Sequence, residues 1–196
     1  MTIRVAPLTG AAIIPALPAL ARLRISVFRD WPYLYDGTID YEQGYLAKFS
    51  TSEAAVIVAA YDGVDIVGVA TASPMLGHVD AFAQPFQDRG LDVTRMFYFG
   101  ESVLLQSHRG RGLGHAFFDH RETHARALGG FTHATFCAVV RPDDHPDKPK
   151  AYVPLDAFWE KRGFAKLDGL VGQFSWRDVG DPAETAKAMQ FWMKAL

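Results

Sequence analysis

A short turn rich in glycine and arginine separates an apolar stretch from a helical pattern in this sequence. Residues 109–114 read Arg-Gly-Arg-Gly-Leu-Gly. The apolar residues 96–105 before them predict a strand, and residues 112–128 after them show helical spacing. Such a turn points free backbone N–H groups and the positive end of a helix dipole at one spot, and glycine leaves a ligand room to approach. It therefore predicts an anion site, for a phosphate or pyrophosphate.

Two known phosphate loops do not fit this turn. A P-loop ends in Gly-Lys-Ser/Thr, whereas this turn ends Leu113-Gly114-His115. A dinucleotide-binding turn requires an acidic residue at the end of the next strand, and that strand ends Val139-Val140-Arg141. A glycine turn can also precede a helix for purely structural reasons, so this alternative stays open beside the anion site.

The composition indicates one globular domain, residues 1–196. Hydrophobic residues make up 49% of the chain and charged residues 21%, and the net charge is −2. This charge argues against a generally basic surface for nucleic acid or membrane. A single cysteine, Cys137, offers no internal disulfide and indicates a reducing compartment. The N-terminus lacks a signal-peptide pattern, and no stretch approaches the roughly 20 apolar residues of a membrane span, so we expect a cytoplasmic protein.

Strand and helix patterns alternate along the chain, which predicts an α/β fold. The predicted strands are residues 3–7, 54–61, 66–72, 96–105, 132–140 and 164–176. The predicted helices are residues 18–29, 40–49, 80–88, 112–128 and 154–162, with Asp40 as the cap of the second. The last residues, 182–196, fit either a helix or an extended segment.

Two motifs together resemble the GNAT N-acetyltransferase superfamily. The turn matches its Arg-x-x-Gly-x-Gly loop, and residues 157–164, Ala-Phe-Trp-Glu-Lys-Arg-Gly-Phe, look like its late helix-to-strand motif. The resemblance implies a mixed, mostly antiparallel sheet flanked by helices. Strands 96–105 and 132–140 would be its central, splayed parallel pair. It also implies acetyl-CoA as the acyl donor.

The same resemblance implies where acetyl-CoA would bind. Backbone N–H groups of residues 110–114 would hold the pyrophosphate, and the late motif would lie beside the cofactor. The strand before the turn would hold the pantetheine arm and supply a donor to the carbonyl oxygen. The implied cofactor residues are Val103, Leu104, Leu105, Arg109, Gly110, Arg111, Gly112, Leu113, Gly114, His115 and Trp159. For Arg109, Arg111 and His115, a solvated position is the alternative.

Acetyl transfer also requires a base, because an amine must lose a proton before or during attack. Glu101 is our candidate, since a carboxylate in so apolar a strand requires a partner or a cleft. Strand alternation predicts that Glu101 shares a face with Phe99 and Val103. The alternative is a buried salt bridge, with Arg121 as the suggested partner.

The general acid is where the sequence departs from the superfamily. The usual tyrosine of the late motif is Trp159 here, and an indole has no titratable proton near neutral pH. Tyr152 is a candidate substitute, while water or no protein acid at all are the alternatives. Tyr152 could also simply pack under the proline-rich loop 141–150.

The first two helices and the loop between them would form the acceptor pocket, by analogy with the fold. We expect Arg24, Trp31, Tyr33 and Tyr35 to contact the acceptor, although core packing also explains aromatic residues. The predicted reaction is direct attack by a small-molecule primary amine in a ternary complex, and a homodimer is compatible with it. The rivals are a non-catalytic CoA-binding module and a protein or peptide N-acetyltransferase. A small-molecule enzyme should close its cleft with segments 31–37 and 73–95.

A cysteine and two histidines are further candidates, as a nucleophile and as metal ligands respectively. Cys137 lies in an apolar strand, which favours an inert core residue over a nucleophile. His120 and His124 are four residues apart on one helix, but spacing fixes no third ligand. We therefore expect no metal.

Overall fold

The structure is a computed structural model that describes residues 3–49, 51–78 and 80–196. Within these residues there are seven strands and five α-helices. The strands are β1 (Arg4–Thr9), β2 (Val56–Asp62), β3 (Asp65–Pro74), β4 (Met96–Leu104), β5 (His133–Val139), β6 (Ala165–Arg177) and β7 (Glu184–Ala195). The helices are α1 (Leu17–Phe28), α2 (Ile39–Phe49), α3 (Asp80–Gln87), α4 (Leu113–Leu128) and α5 (Asp156–Lys161). The predicted elements are therefore present, with boundaries shifted by at most two residues.

The strands form one mixed sheet in the order β1-β2-β3-β4-β5-β7-β6. Among the described residues, β4 and β5 are the only parallel neighbours, and they pair over only three positions, from Met96–His133 to Tyr98–Thr135. Beyond Tyr98 the two strands separate. The predicted splayed parallel pair at the centre of a mostly antiparallel sheet is confirmed.

Alternating side chains divide the core between the two faces of the sheet. On β7, Trp192 packs with α4 while its neighbour Phe191 packs with α3. On β2, Val58 packs toward α4 while Ile57 packs toward α1. Helices α1, α2 and α3 therefore cover one face, and α4 and α5 cover the other.

The end of the chain is a strand, so the helical alternative for residues 182–196 is wrong. Strand β7 lies between β5 and β6 and pairs with both, for example Cys137 with Phe191 and Phe174 with Lys187. Buried side chains at Lys187, Met189 and Phe191 follow the two-residue period of a strand. Strand β7 pairs with the edge of β5 that faces away from β4. These partners are distant in the chain, so the local sequence pattern does not reveal that the segment is a strand.

The cap of helix α2 also differs from the prediction. The helix begins at Ile39, and the hydroxyl of Thr38 accepts a hydrogen bond from the N–H of Tyr41 at 3.4 Å. Asp40 lies inside the first turn, where its charge favours the helix dipole. Hydrophobic spacing predicts that Tyr45 lies on the apolar side of this helix. Its side chain lies outside the described residues.

A β-bulge interrupts β4 at its midpoint. Ala72 pairs with Phe99 and Ala70 with Ser102, so two steps on β3 oppose three on β4. Phe99 packs toward Phe118 of α4, whereas the Glu101 side chain contacts Arg24 of α1. The prediction that Glu101 shares a face with Phe99 is wrong, because the bulge reverses the alternation between them.

Gly100 is required by the close approach of β3 at this bulge. A Cβ at this position would collide with the hydroxyl oxygen of Thr71. That hydroxyl accepts a hydrogen bond from the backbone N–H of Glu101 at 3.0 Å, so it is not free to move aside.

Gly100→Ala is expected to destabilise the protein by about 1–3 kcal/mol, the usual cost of overpacking a core. Urea unfolding monitored by tryptophan fluorescence measures this difference. Ser102→Ala is the matched control, because Ser102 is exposed on the same strand and should change stability by less than about 0.5 kcal/mol. Equal stability of the two variants would contradict the role assigned to Gly100.

Candidate active site

The glycine turn lies at the start of α4 and exposes unpaired backbone donors. Gly110 and Gly112 have φ of 75° and 76°, which glycine adopts without strain. Among the described residues, none accepts a hydrogen bond from the backbone N–H groups of positions 110–114. A Cβ at Gly110 or Gly112 would meet nothing within 4 Å, so both glycines border open space. These donors and this space fit the pyrophosphate of acetyl-CoA.

Cationic and aromatic side chains surround the turn. Arg109 donates to the carbonyl of Leu104 at 3.3 Å, and Arg111 donates to the carbonyl of Ser107 at 3.3 Å. Both guanidinium groups are exposed and lie beside the free backbone N–H groups. Phe158 of α5 lies next to Gly114 and 4.9 Å from the His115 ring, measured between ring centroids. Sequence reasoning gave Phe158 no role, although it stands in the late motif.

The last residues of β4 lie between the turn and the splay. Val103 is fully buried against the α1 face, whereas Leu104 is partly buried on the α4 side. Leu105, which follows β4, is partly buried and packs against both core clusters. The N–H of Leu105 bonds to the carbonyl of Val67 at 3.0 Å, so this donor faces β3. On its other side, β4 has no ladder partner in β5 beyond Tyr98. The backbone edge of β4 that faces the gap is therefore not paired with β5 beyond Tyr98.

Trp159 packs inside an aromatic cluster on the α4 face. Its ring centroid lies 5.0 Å from that of Phe136 and 5.2 Å from that of Trp192. These contacts hold the indole against Phe136 of β5 and Trp192 of β7. The position that carries the superfamily's tyrosine is therefore occupied by a packed side chain with no titratable proton near neutral pH.

The carboxylate of Glu101 is held by α1 and β3. One oxygen pairs with a guanidinium nitrogen of Arg24, and the other accepts from the hydroxyl of Thr71. Arg121 is not the partner of this side chain, so that suggestion is wrong. It lies on the opposite face, over Phe99, and donates to the backbone carbonyls of Thr71 and Glu101 at 3.3 and 3.5 Å.

A second carboxylate joins this cluster from α2. Arg24 donates its Nε to Glu42 at 2.5 Å, and the Tyr35 hydroxyl donates to the other oxygen of Glu42 at 2.9 Å. The Glu42 side chain is fully buried. Sequence reasoning missed it, although Glu42 stands four residues before the buried Leu46 and therefore on the inner side of α2.

Of the predicted acceptor residues, Trp31 packs on Tyr152, the candidate acid. Trp31 lies 5.9 Å from Tyr152 and 5.0 Å from His145, measured between ring centroids. Tyr33 packs on Phe28 at 4.5 Å. Burial raises the pKa of Tyr33, and burial also raises that of Tyr152, so both phenols are protonated at neutral pH.

Arg141, which lies two residues after β5, binds the loop between α1 and α2 and holds it in place. Its guanidinium donates to the carbonyls of Pro32 and Tyr33 at 2.8 and 2.6 Å and to both oxygens of Asp178 at 2.6 and 3.0 Å. Tyr35 pairs with Asp178 in an antiparallel bridge. The loop therefore extends across the end of β5 to the segment that joins β6 and β7.

The segment after β3 and helix α3 pack on the same face of the sheet as α1. His78 and Phe82 pack on the ring of Tyr98, at 4.9 and 4.7 Å between centroids, and the Tyr98 hydroxyl lies 3.1 Å from the sulfur of Cys137. Burial raises the pKa of the Cys137 thiol to about 12, so the thiol stays neutral and is a poor nucleophile. This agrees with the prediction of an inert cysteine.

The positions of the histidines on α4 do not support a metal site formed by His120 and His124. His124 contacts the backbone carbonyl of Ala54 through Nε2 at 2.9 Å. Within the part of the chain that the structure describes, no group of three His, Cys, Asp or Glu side chains is arranged to hold a metal ion.

One helical stretch passes a length-and-composition test for a membrane span. It covers Gly10–Phe28, with a mean hydropathy of 1.5. Its side chains at Ile13, Ala16, Leu20 and Leu23 are buried against β2, β3 and β4. These residues form a core cluster of the domain.

Fold and site together place a turn with unpaired backbone N–H groups beside two splayed strands. A sequence model described as the acetyltransferase (GNAT) family matches residues 20–164. The chain belongs to this family and is an acetyltransferase; the family uses acetyl-CoA.

Solved structures show the same fold at low sequence identity. A ribosomal-protein-alanine N-acetyltransferase from Brucella melitensis has 15% identity and a TM-score of 0.60, with 100% of both chains covered. A putative acetyltransferase from Acinetobacter baylyi has 14% identity and a TM-score of 0.64, with 100% of this chain and 92% of that chain covered. The PaiA N-acetyltransferase from Thermoplasma acidophilum, solved with coenzyme A, has 11% identity and a TM-score of 0.56, with both chains fully covered. No curated protein matches the sequence significantly.

The partly buried His78 is expected to make stability depend on pH. Burial lowers the pKa of His78 from 6.5 to about 4, so the folded protein keeps it neutral. The unfolded chain takes up a proton below about pH 6.5, and stability should fall as the pH drops from about 6.5 to about 4. The loss should reach roughly 2–3 kcal/mol, and His78→Gln should remove it.

Urea unfolding at pH 7.5 and 4.5 measures this loss. His115→Gln is the control, because His115 is exposed and should keep the pH dependence of the wild type. A pH dependence that survives in His78→Gln would rule out His78 as its source.

Proposed function

We propose that this acetyltransferase moves acetyl from acetyl-CoA to the primary amine of a small molecule, by direct attack in a ternary complex. The free N–H groups of positions 110–114 bind the pyrophosphate, and Arg109 and Arg111 add positive charge. Residues 103–105 border the pantetheine arm. Acetyl-CoA supplies the activated acetyl group as a thioester.

The residues of the chain supply position and proton transfer. Glu101 takes the amine proton, directly or through one water, while Arg24 and Thr71 fix its carboxylate. The free backbone edge of β4 offers donors for the carbonyl oxygen as negative charge develops on it. Tyr152 is the proposed acid, since the Trp159 indole cannot supply the proton.

The fastened loop between α1 and α2 is the observation that favours a small acceptor. Arg141 and the bridge to Asp178 hold residues 32–36 across the end of β5, and Phe82 of α3 covers Tyr98 nearby. A peptide substrate requires an open groove along the splayed strands. Trp31, Tyr33 and Tyr35 instead form an aromatic wall that fits a compact amine.

An open approach remains beside the end of α1. A cleft of about 430 Å³ lies between that helix end and the segment after β4, and its lining includes Ser26, Asp30, Gln106 and Arg109. The carboxylate of Asp30 can attract a protonated amine toward the site. We further propose that the chain acts in the cytoplasm without nucleic acid or a membrane, and that two copies can form a homodimer.

Glycine at position 112 is expected to be essential for acetyl-CoA binding. Gly112→Val places a branched side chain where the pyrophosphate would lie, and it should reduce acetyl-CoA affinity at least 100-fold, measured by isothermal titration calorimetry. Gly90→Val is the matched control, because Gly90 also has a positive φ, of 70°, and borders open space far from the turn. Both variants carry similar backbone strain, so an equal loss of affinity would contradict the assignment of the turn.

The reaction is tested by release of CoA thiol with a panel of small primary amines and peptides. We expect thiol release with some small amines and none above background with peptides. Glu101→Gln should lower kcat by about 10²–10⁴-fold for the best amine, because general base catalysis contributes about this much. The effect should be largest near neutral pH, where the amine is still protonated and the carboxylate is ionised.

Glu160→Gln is the control, because Glu160 is exposed on α5. Binding of acetyl-CoA without thiol release for any acceptor would instead establish a non-catalytic CoA-binding module. Preferential release with peptide N-termini would establish a peptide N-acetyltransferase. An unchanged kcat in Glu101→Gln would give Glu101 a structural role.

A further inference from the structure

A single guanidinium group is shared by two buried carboxylates beside the splay. Arg24 contacts Glu42 through Nε and Glu101 through Nη1. The side chains are 12%, 0% and 6% exposed, respectively. The three groups carry one positive and two negative charges, so the cluster has an excess negative charge.

Neutral donors stabilise this excess charge at both ends of the cluster. The Tyr35 hydroxyl donates to Glu42, and the Thr71 hydroxyl donates to Glu101. The Phe28 ring lies 5.4 Å from the Arg24 guanidinium carbon. These two hydroxyls satisfy the carboxylate oxygens that Arg24 does not contact, one on each glutamate.

The contacts also fix the orientation of Glu101. Each of its carboxylate oxygens already has a partner, one on α1 and one on β3. An ionised carboxylate has about four lone-pair sites, so it can accept one further hydrogen bond from an amine or a water without losing either partner. Arg24 is in turn held by Glu42, which is anchored in the interior of α2.

We propose that Arg24 is a positioning residue that acts on acetyl transfer through Glu101, and that Glu42 holds Arg24 in place for this purpose. The proposal rests on the proposed function, in which Glu101 accepts the amine proton. Without Arg24, two buried carboxylates would lie within the span of one guanidinium with no cation between them. Like charges so close together repel each other, so the Glu101 carboxylate would lose its fixed position.

The proposal predicts that the effects of Arg24 and Glu101 on kcat are not additive. Arg24→Gln should lower kcat for the best amine at least 10-fold in the wild-type background. In the Glu101→Gln background the same change should lower kcat less than 2-fold, because the group through which Arg24 acts is already gone. The KM for acetyl-CoA should stay within 2-fold in all variants, since Arg24 does not contact the glycine turn.

Arg22→Gln is the matched control, because Arg22 is exposed on the same helix and should leave kcat unchanged in both backgrounds. Where Arg24→Gln does not fold, Glu42→Gln replaces it in the same cycle. That substitution releases Arg24 from its anchor, and it should lower kcat about 3-fold with Glu101 present and leave it unchanged with Gln at position 101.

An equal loss of kcat in both backgrounds would overturn the proposal, because Arg24 would then act independently of Glu101. An unchanged kcat in Arg24→Gln and Glu42→Gln, with an active wild type, would overturn it as well. A wild type that releases no thiol with any amine would instead refute the proposed function, and this inference would fall with it.

Discussion

The bulge in β4 is the constraint on which the arrangement of the site depends. It turns Glu101 to the face covered by α1, although Phe99, two residues earlier, packs against α4. Without the extra residue, the alternation of the strand would direct the carboxylate into the aromatic core beside Phe118. The side chain would then be buried without the contacts that it now makes with Arg24 and Thr71.

Two arginines stabilise this bulge, one on each face of the sheet. Arg24 binds the side chain of Glu101, while Arg121 donates to the carbonyls of Thr71 and Glu101 that flank the irregularity. A bulge disrupts the ladder locally, and buried carbonyl groups require partners. Burial lowers the pKa of Arg121 to about 9, yet it stays charged at neutral pH and its plane packs between Phe99 and Phe118. The apolar core on the α4 side therefore contains a cation whose role is to satisfy the backbone of the site.

The sequence could reveal the local elements and the turn, because these depend on residues that are neighbours in the chain. Hydrophobic period, glycine positions and the two motifs were sufficient to predict the sheet with its parallel pair. The register of β3 on β4 depends on the contact between Thr71 and Gly100. These residues are far apart in the chain, so no local sequence pattern predicts the register. The ion pairs of the site were missed for the same reason. Arg24 is 77 positions from its partner Glu101. Its other partner, Glu42, resembles any acidic residue in the first turn of a helix.

Energetics of the leaving group explain how a family member can carry tryptophan at position 159. A phenol ordinarily has a pKa of about 10, and burial raises that of Tyr152 further. An alkyl thiol has a pKa of about 8.5, so proton transfer from a phenol to the departing thiolate is uphill by at least about 2 kcal/mol. The thiolate can therefore leave as an anion, and protonation by Tyr152, the proposed acid, can follow its departure. Trp159 has no titratable proton near neutral pH, and its indole packs against Phe136 and Trp192.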